Sequence, residues 1–158
     1  MSIFTLNLSN MKIEDEIKSK FKNEYLKARV NIHYTHNYLN SQLIEIIKPF
    51  KLSPTQFNVL RILRGQYPQT SSIGLIKERM LDKNSDISRV IDRMLVKKLV
   101  YRSECKLDRR QKDIQISELG LEYLSKIDEK EKEFDDQMRH LSEKEVTLLN
   151  KLLNKIRK

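Results

Sequence analysis

Between Ser85 and Ser117 the spacing of the hydrophobic residues changes from three or four positions to two. In the first part, apolar residues recur at i, i+3, i+4, i+7 and i+8, which predicts one buried face of an amphipathic helix. These residues are Ile87, Val90, Ile91, Met94 and Leu95. Apolar and polar residues then alternate in two short runs, 99–105 and 112–117, which predicts a two-stranded ribbon. The chain must therefore place an amphipathic helix directly before a hairpin.

Helical signals dominate the rest of the chain. Residues 11–48 have no glycine or proline and keep helical spacing of their apolar residues, which predicts a very long helix, broken at most once. Ser53-Pro54-Thr55-Gln56 has the form of a capping box and predicts a helix start. A short helix over 73–80 and a turn over 81–84 follow. Ser117 is predicted to cap a helix that runs to about residue 140, and Ser142 to open the last helix.

The net charge of +9 is concentrated in the middle of the chain. Residues 53–117 contain fourteen Lys and Arg against seven Asp and Glu, whereas residues 118–139 contain four against eight. A basic centre between less basic ends predicts a polyanion partner for the central segment. No apolar run is long enough to span a bilayer, the start of the chain does not resemble a signal peptide, and Cys105 is the single cysteine. We therefore expect a cytoplasmic protein without a membrane partner.

A short helix, a tight turn and an amphipathic helix with a polar outer face suit the major groove of DNA. The hairpin that follows makes a winged helix, whose tip can reach the neighbouring minor groove. We predict that Asp108 orients an arginine at this tip through a charge-assisted hydrogen bond. The candidate residues of the recognition helix are Ser85, Asp86, Ser88, Arg89, Asp92 and Arg93. Those of the wing are Asp108, Arg109 and Arg110, and the candidate phosphate contacts are Ser53, Thr55, Lys77 and Lys83.

Several short motifs from Ser85 to Gly120 together resemble the MarR family of bacterial transcription regulators. They are S-x-I-S-R-V-I-D-R-M, K-K-L-V-Y-R, D-R-R and I-x-I-S-E-L-G. The resemblance implies a homodimer with interlocked terminal helices that binds a pseudo-palindromic operator in double-stranded DNA, one winged helix per half-site. It also implies that many members release DNA when a small, often phenolic, molecule binds or a cysteine is oxidised. The chain departs from the family at Lys98, where glycine is usual, and at Lys106-Leu107, where proline or an acidic residue is usual.

The predicted fold is thus mainly α, a winged helix-turn-helix with a three-helix core and a two-stranded wing. It comprises an N-terminal dimerisation arm over 1–50, a DNA-binding domain over 51–118 and C-terminal dimerisation helices over 119–158. Apolar stripes on the first and last helices predict the dimer contact, because one compact lobe cannot bury them. Their candidate members are Ile13, Ile17, Leu148, Leu149, Leu152, Leu153 and Ile156.

Several aromatic, histidine and cysteine residues have a structural interpretation as well as a functional one. Five aromatic residues, Tyr25, Tyr34, Tyr38, Phe50 and Phe57, are candidates for an effector pocket, although aromatic residues at helical spacing are more often core. His33 and His36 lie at i, i+3, but no ligand-dense motif supports a metal site, and we expect no metal and no cofactor. Cys105 lies near basic residues, yet it has no partner cysteine for redox sensing.

The sequence therefore predicts a dimeric, sequence-specific transcription regulator, and a repressor rather than an activator, because blocking a promoter requires only occupancy. The alternative is a winged-helix module for protein interaction or dimerisation, whose basic wing would meet an acidic partner. A non-specific architectural DNA binder lacks the expected basic tails. An enzyme lacks a nucleophile with a base, a glycine-rich phosphate loop and a metal motif. The operator, the regulated genes and the effector do not follow from the sequence.

Overall fold

The computed structural model of the chain describes residues 12–104 and 112–157. Its α-helices in these ranges are α1 Ile13–Glu16, α2 Glu24–Ile47, α3 Pro54–Arg64, α4 Ile73–Arg79, α5 Ile87–Val96, α6 Glu118–Gln137 and α7 Glu143–Ile156. The strands are β1 Ser71–Ser72, β2 Val100–Glu104 and β3 Lys112–Ile116. Single 3₁₀ turns at Lys48–Phe50 and Met138–His140 follow α2 and α6. The predicted mainly helical, winged-helix fold is confirmed.

The chain divides into two compact units, one that ends at Ser41 and one that begins at Gln42. In the first unit, Lys27 Nζ lies 2.6 Å from Glu14 Oε1, so an ion pair joins α1 to α2. The predicted long N-terminal helix is broken once, between Glu16 and Glu24. Ile13, which we expected on an exposed apolar stripe, is buried instead. Because this side chain is already covered, it is not available to a second copy.

The hydrophobic core of the second unit surrounds α3, which contacts α4, α5, α6 and β3. The predicted capping box is present, since Ser53 Oγ accepts the N–H of Gln56 and the Gln56 side chain accepts the N–H of Ser53. The core continues into α6 through Leu124 and Ile127, beyond the boundary predicted at residue 118. That boundary stays a prediction. None of the helices in the described ranges has the length and apolar character needed to cross a membrane.

The wing strands β2 and β3 pair antiparallel, with Val100 opposite Ile116 and Glu104 opposite Lys112. The predicted two-stranded ribbon is confirmed, but the sheet has a third strand that the sequence analysis missed. This strand, β1, pairs antiparallel with β3, so the order in the sheet is β1-β3-β2. Two residues are too short a run to show alternation. The consequence is that β3 is the central strand and that β1 and β2 are the edge strands.

Helix α5 ends in a Schellman motif, in which the last carbonyls are capped by the two following N–H groups. The N–H of Leu99 donates to Met94 O at 3.0 Å, and the N–H of Lys98 donates to Leu95 O at 2.9 Å. Lys98 has a φ of 58°, the left-handed conformation that the motif requires and that glycine adopts most easily. A lysine at this position, where the family usually has glycine, is therefore strained.

We predict that Lys98→Gly raises the free energy of unfolding by about 0.5–1 kcal/mol, because it removes the left-handed penalty of a residue with a Cβ. Urea unfolding of the two proteins measures the difference. Lys98→Ala is the matched control, since it removes the lysine side chain but keeps the Cβ. An equal gain from Lys98→Ala would mean that the lysine side chain, and not the backbone conformation, carries the cost.

Candidate nucleic-acid interface

Asp82 organises the turn that leads into α5, the predicted recognition helix. Its carboxylate accepts the N–H of Asn84 at 2.9 Å and the hydroxyl of Ser85 at 2.8 Å. The hydrogen bond from the Asn84 N–H, followed by that from Ser85, stabilises the charged form and lowers the pKa of Asp82. Asp86 then caps α5 by accepting the N–H of Arg89 at 3.3 Å. Ser85 and Asp86 were predicted to bind DNA. In the structure they lie at the start of the recognition helix.

The two faces of α5 differ in polarity as predicted. Ile87, Ile91 and Met94 are buried in the core. The outward residues are exposed, and they are Ser88, Arg89, Asp92 and Arg93. The Arg89 side chain is 79% exposed and its Nε lies 3.3 Å from Asp86 Oδ2. Such an exposed pair is weak in water, so the guanidinium is free to exchange this partner for a stronger acceptor.

Strand β2 is bonded to the helices on either side through alternate side chains. Arg102 Nη1 donates to Asp92 Oδ1 of α5 at 2.7 Å. The next side chain toward the N-terminus, Tyr101, points to the opposite face and donates its hydroxyl to Glu118 Oε2 of α6 at 2.6 Å. This hydrogen bond raises the pKa of Tyr101 and lowers that of Glu118. The wing is therefore attached to both α5 and α6.

The far end of the described wing is closed by an ion pair between its two strands. Lys112 Nζ of β3 lies 3.0 Å from Glu104 Oε1 of β2. Residues 105–111 lie outside the described residues. The candidates that fall there are Cys105, Asp108, Arg109 and Arg110. The assignment of Asp108, Arg109 and Arg110 to the wing tip stays a prediction.

A groove of about 500 Å³ lies between the start of α3 and the end of α5. Leu52 and Val96 contribute apolar surface to it, and Lys51, Arg93 and Lys97 contribute positive charge. Arg93, a predicted DNA-binding residue, therefore lies beside two basic residues that the sequence analysis did not select.

Lys97 ties the two sides of this groove together. Its Nζ donates to Lys51 O at 2.6 Å and to Gln56 Oε1 at 3.0 Å. Gln56 is buried, and its Oε1 also accepts the N–H of Ser53. The end of the recognition helix is thus attached to the capping box of α3.

The four predicted phosphate contacts lie on three different elements. Ser53 uses its Oγ to cap α3, and Thr55 is partly exposed in the first turn of the same helix. Lys77 is exposed on α4. Lys83, in the turn before α5, donates its ammonium to the carbonyl oxygen of Glu78. All four stay candidates.

Sequence reasoning missed Lys51, Lys97 and Arg102. Arg102 had a detectable signal, because the alternation of β2 places it on the face opposite Tyr101. Lys51 and Lys97 had none, since their proximity comes from the packing of α3 against α5, and residues 46 positions apart share no local pattern.

The candidate effector residues fall in both units of the chain. In the first unit, Tyr25 and Tyr38 are exposed, and Tyr34 donates its hydroxyl to Glu16, which raises its pKa. In the second unit, Phe57 is buried in the core, with the Arg61 guanidinium 5.7 Å from its ring centroid. Phe50 packs against Tyr123, with their ring centroids 5.1 Å apart. The effector pocket stays a prediction.

His33 and His36 are both exposed on α2. Within residues 12–104 and 112–157, no three His, Cys, Asp or Glu side chains are grouped as a metal site would require.

The sequence profile of the MarR family matches residues 52–112, from just before α3 to the first residue of β3. Two proteins are similar over most of their length. The transcriptional regulator MhqR of Bacillus subtilis is 28% identical over 83% of this chain and 90% of its own. The transcriptional repressor IacR of Pseudomonas putida is 29% identical over 88% of this chain and 82% of its own. The central segment of the chain thus matches the MarR family model, and most of the chain is similar to these two regulators.

A solved structure has the same fold. The MepR–DNA complex of Staphylococcus aureus superposes with a TM-score of 0.74 at 19% identity, over 87% of this chain and 97% of that one. The sequence resemblance to the MarR family, and with it the assignment as a transcription regulator, is confirmed.

We predict that Lys97→Met lowers the free energy of unfolding by about 1 kcal/mol, because it removes two hydrogen bonds that join α5 to α3. Urea unfolding measures the change. Lys77→Met is the matched control, since Lys77 is exposed and has no hydrogen-bond partner in the described parts of the chain. An unchanged stability of Lys97→Met relative to that control would show that the two bonds contribute nothing in solution.

Proposed function

We propose that this MarR-family chain binds double-stranded DNA sequence-specifically as a homodimer and represses transcription at a pseudo-palindromic operator. The observation that carries the proposal is the division of α5. Its apolar face is buried, whereas Ser88, Arg89 and Arg93 are exposed beside the wing. A helix with this polarity offers hydrogen-bond donors to base edges in a major groove.

The proposed contacts differ in what they contribute. Arg89 and Arg93 suit bidentate hydrogen bonds to guanine, and Ser88 suits a single bond to a base or phosphate. The wing residues Arg109 and Arg110 suit phosphates or a narrow minor groove, with Asp108 orienting an arginine. Phosphates would be bound by four residues around the helix-turn-helix, namely Ser53, Thr55, Lys77 and Lys83. Phosphate contacts position the protein, and base contacts select the sequence.

The last helix supports the proposed homodimer. On α7, Leu148, Leu149, Leu152 and Ile156 are all exposed, at 54%, 37%, 49% and 64%. They recur at helical spacing and form one apolar stripe on a helix with a capping box at its start. A second copy of this chain could cover such a stripe. The predicted domain division, with dimerisation helices outside residues 51–118, agrees with this role.

The resemblance to the MarR family supports further proposals on regulation and location. We propose a repressor, as the name of the relative IacR states for that protein. We also propose that the chain works in the cytoplasm and is not an enzyme. Release from DNA by a small aromatic effector is in keeping with the MarR family, and the five aromatic candidates named above remain the residues to test.

The test of the proposed function is binding to the DNA upstream of the protein's own coding region, with excess competitor DNA present. A preference retained over the competitor supports a sequence-specific regulator. Equal binding to all duplexes, or no binding, contradicts the proposal and favours the alternative of a winged-helix protein-interaction module.

We predict that Arg89→Ala weakens binding to the preferred duplex by about 1–3 kcal/mol and weakens binding to a scrambled duplex much less. The scrambled duplex is affected less because it lacks the base that Arg89 is proposed to contact. Arg110→Ala should instead weaken both duplexes alike and reduce the salt dependence by about one unit of slope. Titrations of both duplexes at several salt concentrations separate the two. If Arg89→Ala weakened binding to both duplexes equally, Arg89 would not contact a base.

We predict that deletion of residues 142–158 converts the dimer to a monomer or to aggregates, because it removes the apolar stripe of α7. Sedimentation at micromolar concentration measures the outcome. Lys151→Ala, on the same helix but outside the stripe, should leave the dimer intact. A truncated protein that remains a stable dimer would place the contact elsewhere.

A further inference from the structure

The ion pair between Asp92 and Arg102 connects the two elements that the proposed function assigns to DNA. Asp92 lies on the outer face of α5, and Arg102 lies on β2 of the wing, with 2.7 Å between Oδ1 and Nη1. Both side chains are partly exposed, at 58% for Asp92 and 43% for Arg102. Asp92 is one of the predicted DNA-binding residues. A carboxylate turned toward DNA, however, is repelled by the phosphates.

Strand β2 depends on such side-chain bonds for its position. Val100 is buried at its start, but residues 101–104 are all exposed, so no core packing holds the rest of the strand. Its neighbour β3 has Ile114 and Ile116 buried. Beyond the backbone pairing with β3, β2 is attached to the helices by Arg102–Asp92 on one face and Tyr101–Glu118 on the other. Of these two bonds, the first reaches the recognition helix.

We propose that Asp92 is a positioning residue which, by binding Arg102, fixes the wing relative to the recognition helix, so that both elements contact DNA in one register. The inference rests on the proposed function. In it, Asp92 does not itself contact a base. Its carboxylate holds Arg102, and Arg102 holds β2 at the angle that presents the wing to the groove next to the one occupied by α5.

Charge alone and positioning make opposite predictions for Asp92→Ala. Removal of a negative charge beside Arg89 and Arg93 should tighten binding to every duplex, because less repulsion opposes the phosphates. Loss of the wing's position should weaken binding where base and wing contacts must form together, which is on the preferred duplex. The fold should survive in either case, since an exposed ion pair contributes little to stability.

The experiment titrates wild-type protein and three variants with the preferred duplex from the upstream DNA and with its scrambled version. For Asp92→Ala we expect about fivefold weaker binding to the preferred duplex and unchanged or tighter binding to the scrambled one. Glu104→Ala is the matched control, because it also removes one acidic partner of an exposed ion pair, but one that stays within the wing. It should cause no comparable loss of preference.

The double variant Asp92→Ala/Arg102→Ala completes a cycle with Arg102→Ala. Once Arg102 is absent, removal of Asp92 should cause no further loss on the preferred duplex, because the bond is already broken. The inference is overturned if Asp92→Ala binds the preferred duplex as tightly as wild type or more tightly. It is equally overturned if the loss is the same on both duplexes, or persists in full without Arg102. A wild-type protein with no preference at all overturns the proposed function as well.

Discussion

The burial of one face of α5 determines the direction in which the side chains on its other face point. Ile87, Ile91 and Met94 are at most 3% exposed, so rotation of this helix about its axis would bring apolar surface into water. That exposure costs roughly 25 cal/mol per Å², which far exceeds what weak exposed ion pairs such as Arg89–Asp86 return. The rotational setting of α5 is therefore a property of the core. The outward direction of Arg89 and Arg93 follows from apolar packing and would survive the loss of any single polar contact.

The base of the wing is fixed by a close junction of three backbone segments. Ser117 donates its N–H to Leu99 O at 3.0 Å and its hydroxyl to Lys98 O at 2.8 Å, and its Oγ accepts the N–H of Gly120 at 3.1 Å. A Cβ on Gly120 would lie 2.6 Å from Leu99 O, which is closer than atoms can approach, so only glycine fits. The hairpin leaves and returns through this junction. These hydrogen bonds hold the base of the hairpin, and its edge strand β2 is held by backbone pairing with β3 and by side-chain bonds farther out.

Local patterns in the sequence were sufficient to predict the helices and the wing hairpin, but not the hydrogen bonds and ion pairs between them. The start of α3 at Pro54, the two faces of α5 and the cap of α6 at Ser117 follow from residue spacing and capping chemistry within a few positions. The short β1, the burial of Ile13 and the attachment of Lys97 to α3 depend on which elements meet in space, and periodicity carries no such information. Asp92 shows the difference most clearly. Its place on the outer face was predictable, but its partner on β2 was not.

Attraction and geometry are supplied by different parts of this molecule. The excess of Lys and Arg in residues 53–117 creates a positive field, and the excess of Asp and Glu in residues 118–139 opposes it, so a polyanion is drawn toward one part of the chain. Salt screens this attraction, whereas the apolar packing that sets α5 is insensitive to it. Ion pairs such as Asp92–Arg102 are electrostatic and also affect geometry. Salt screens them because they are exposed, and they connect the recognition helix to the wing. Rising ionic strength should consequently weaken the attraction between the protein and DNA. It should also weaken the ion pair that we propose fixes the position of the wing relative to the recognition helix.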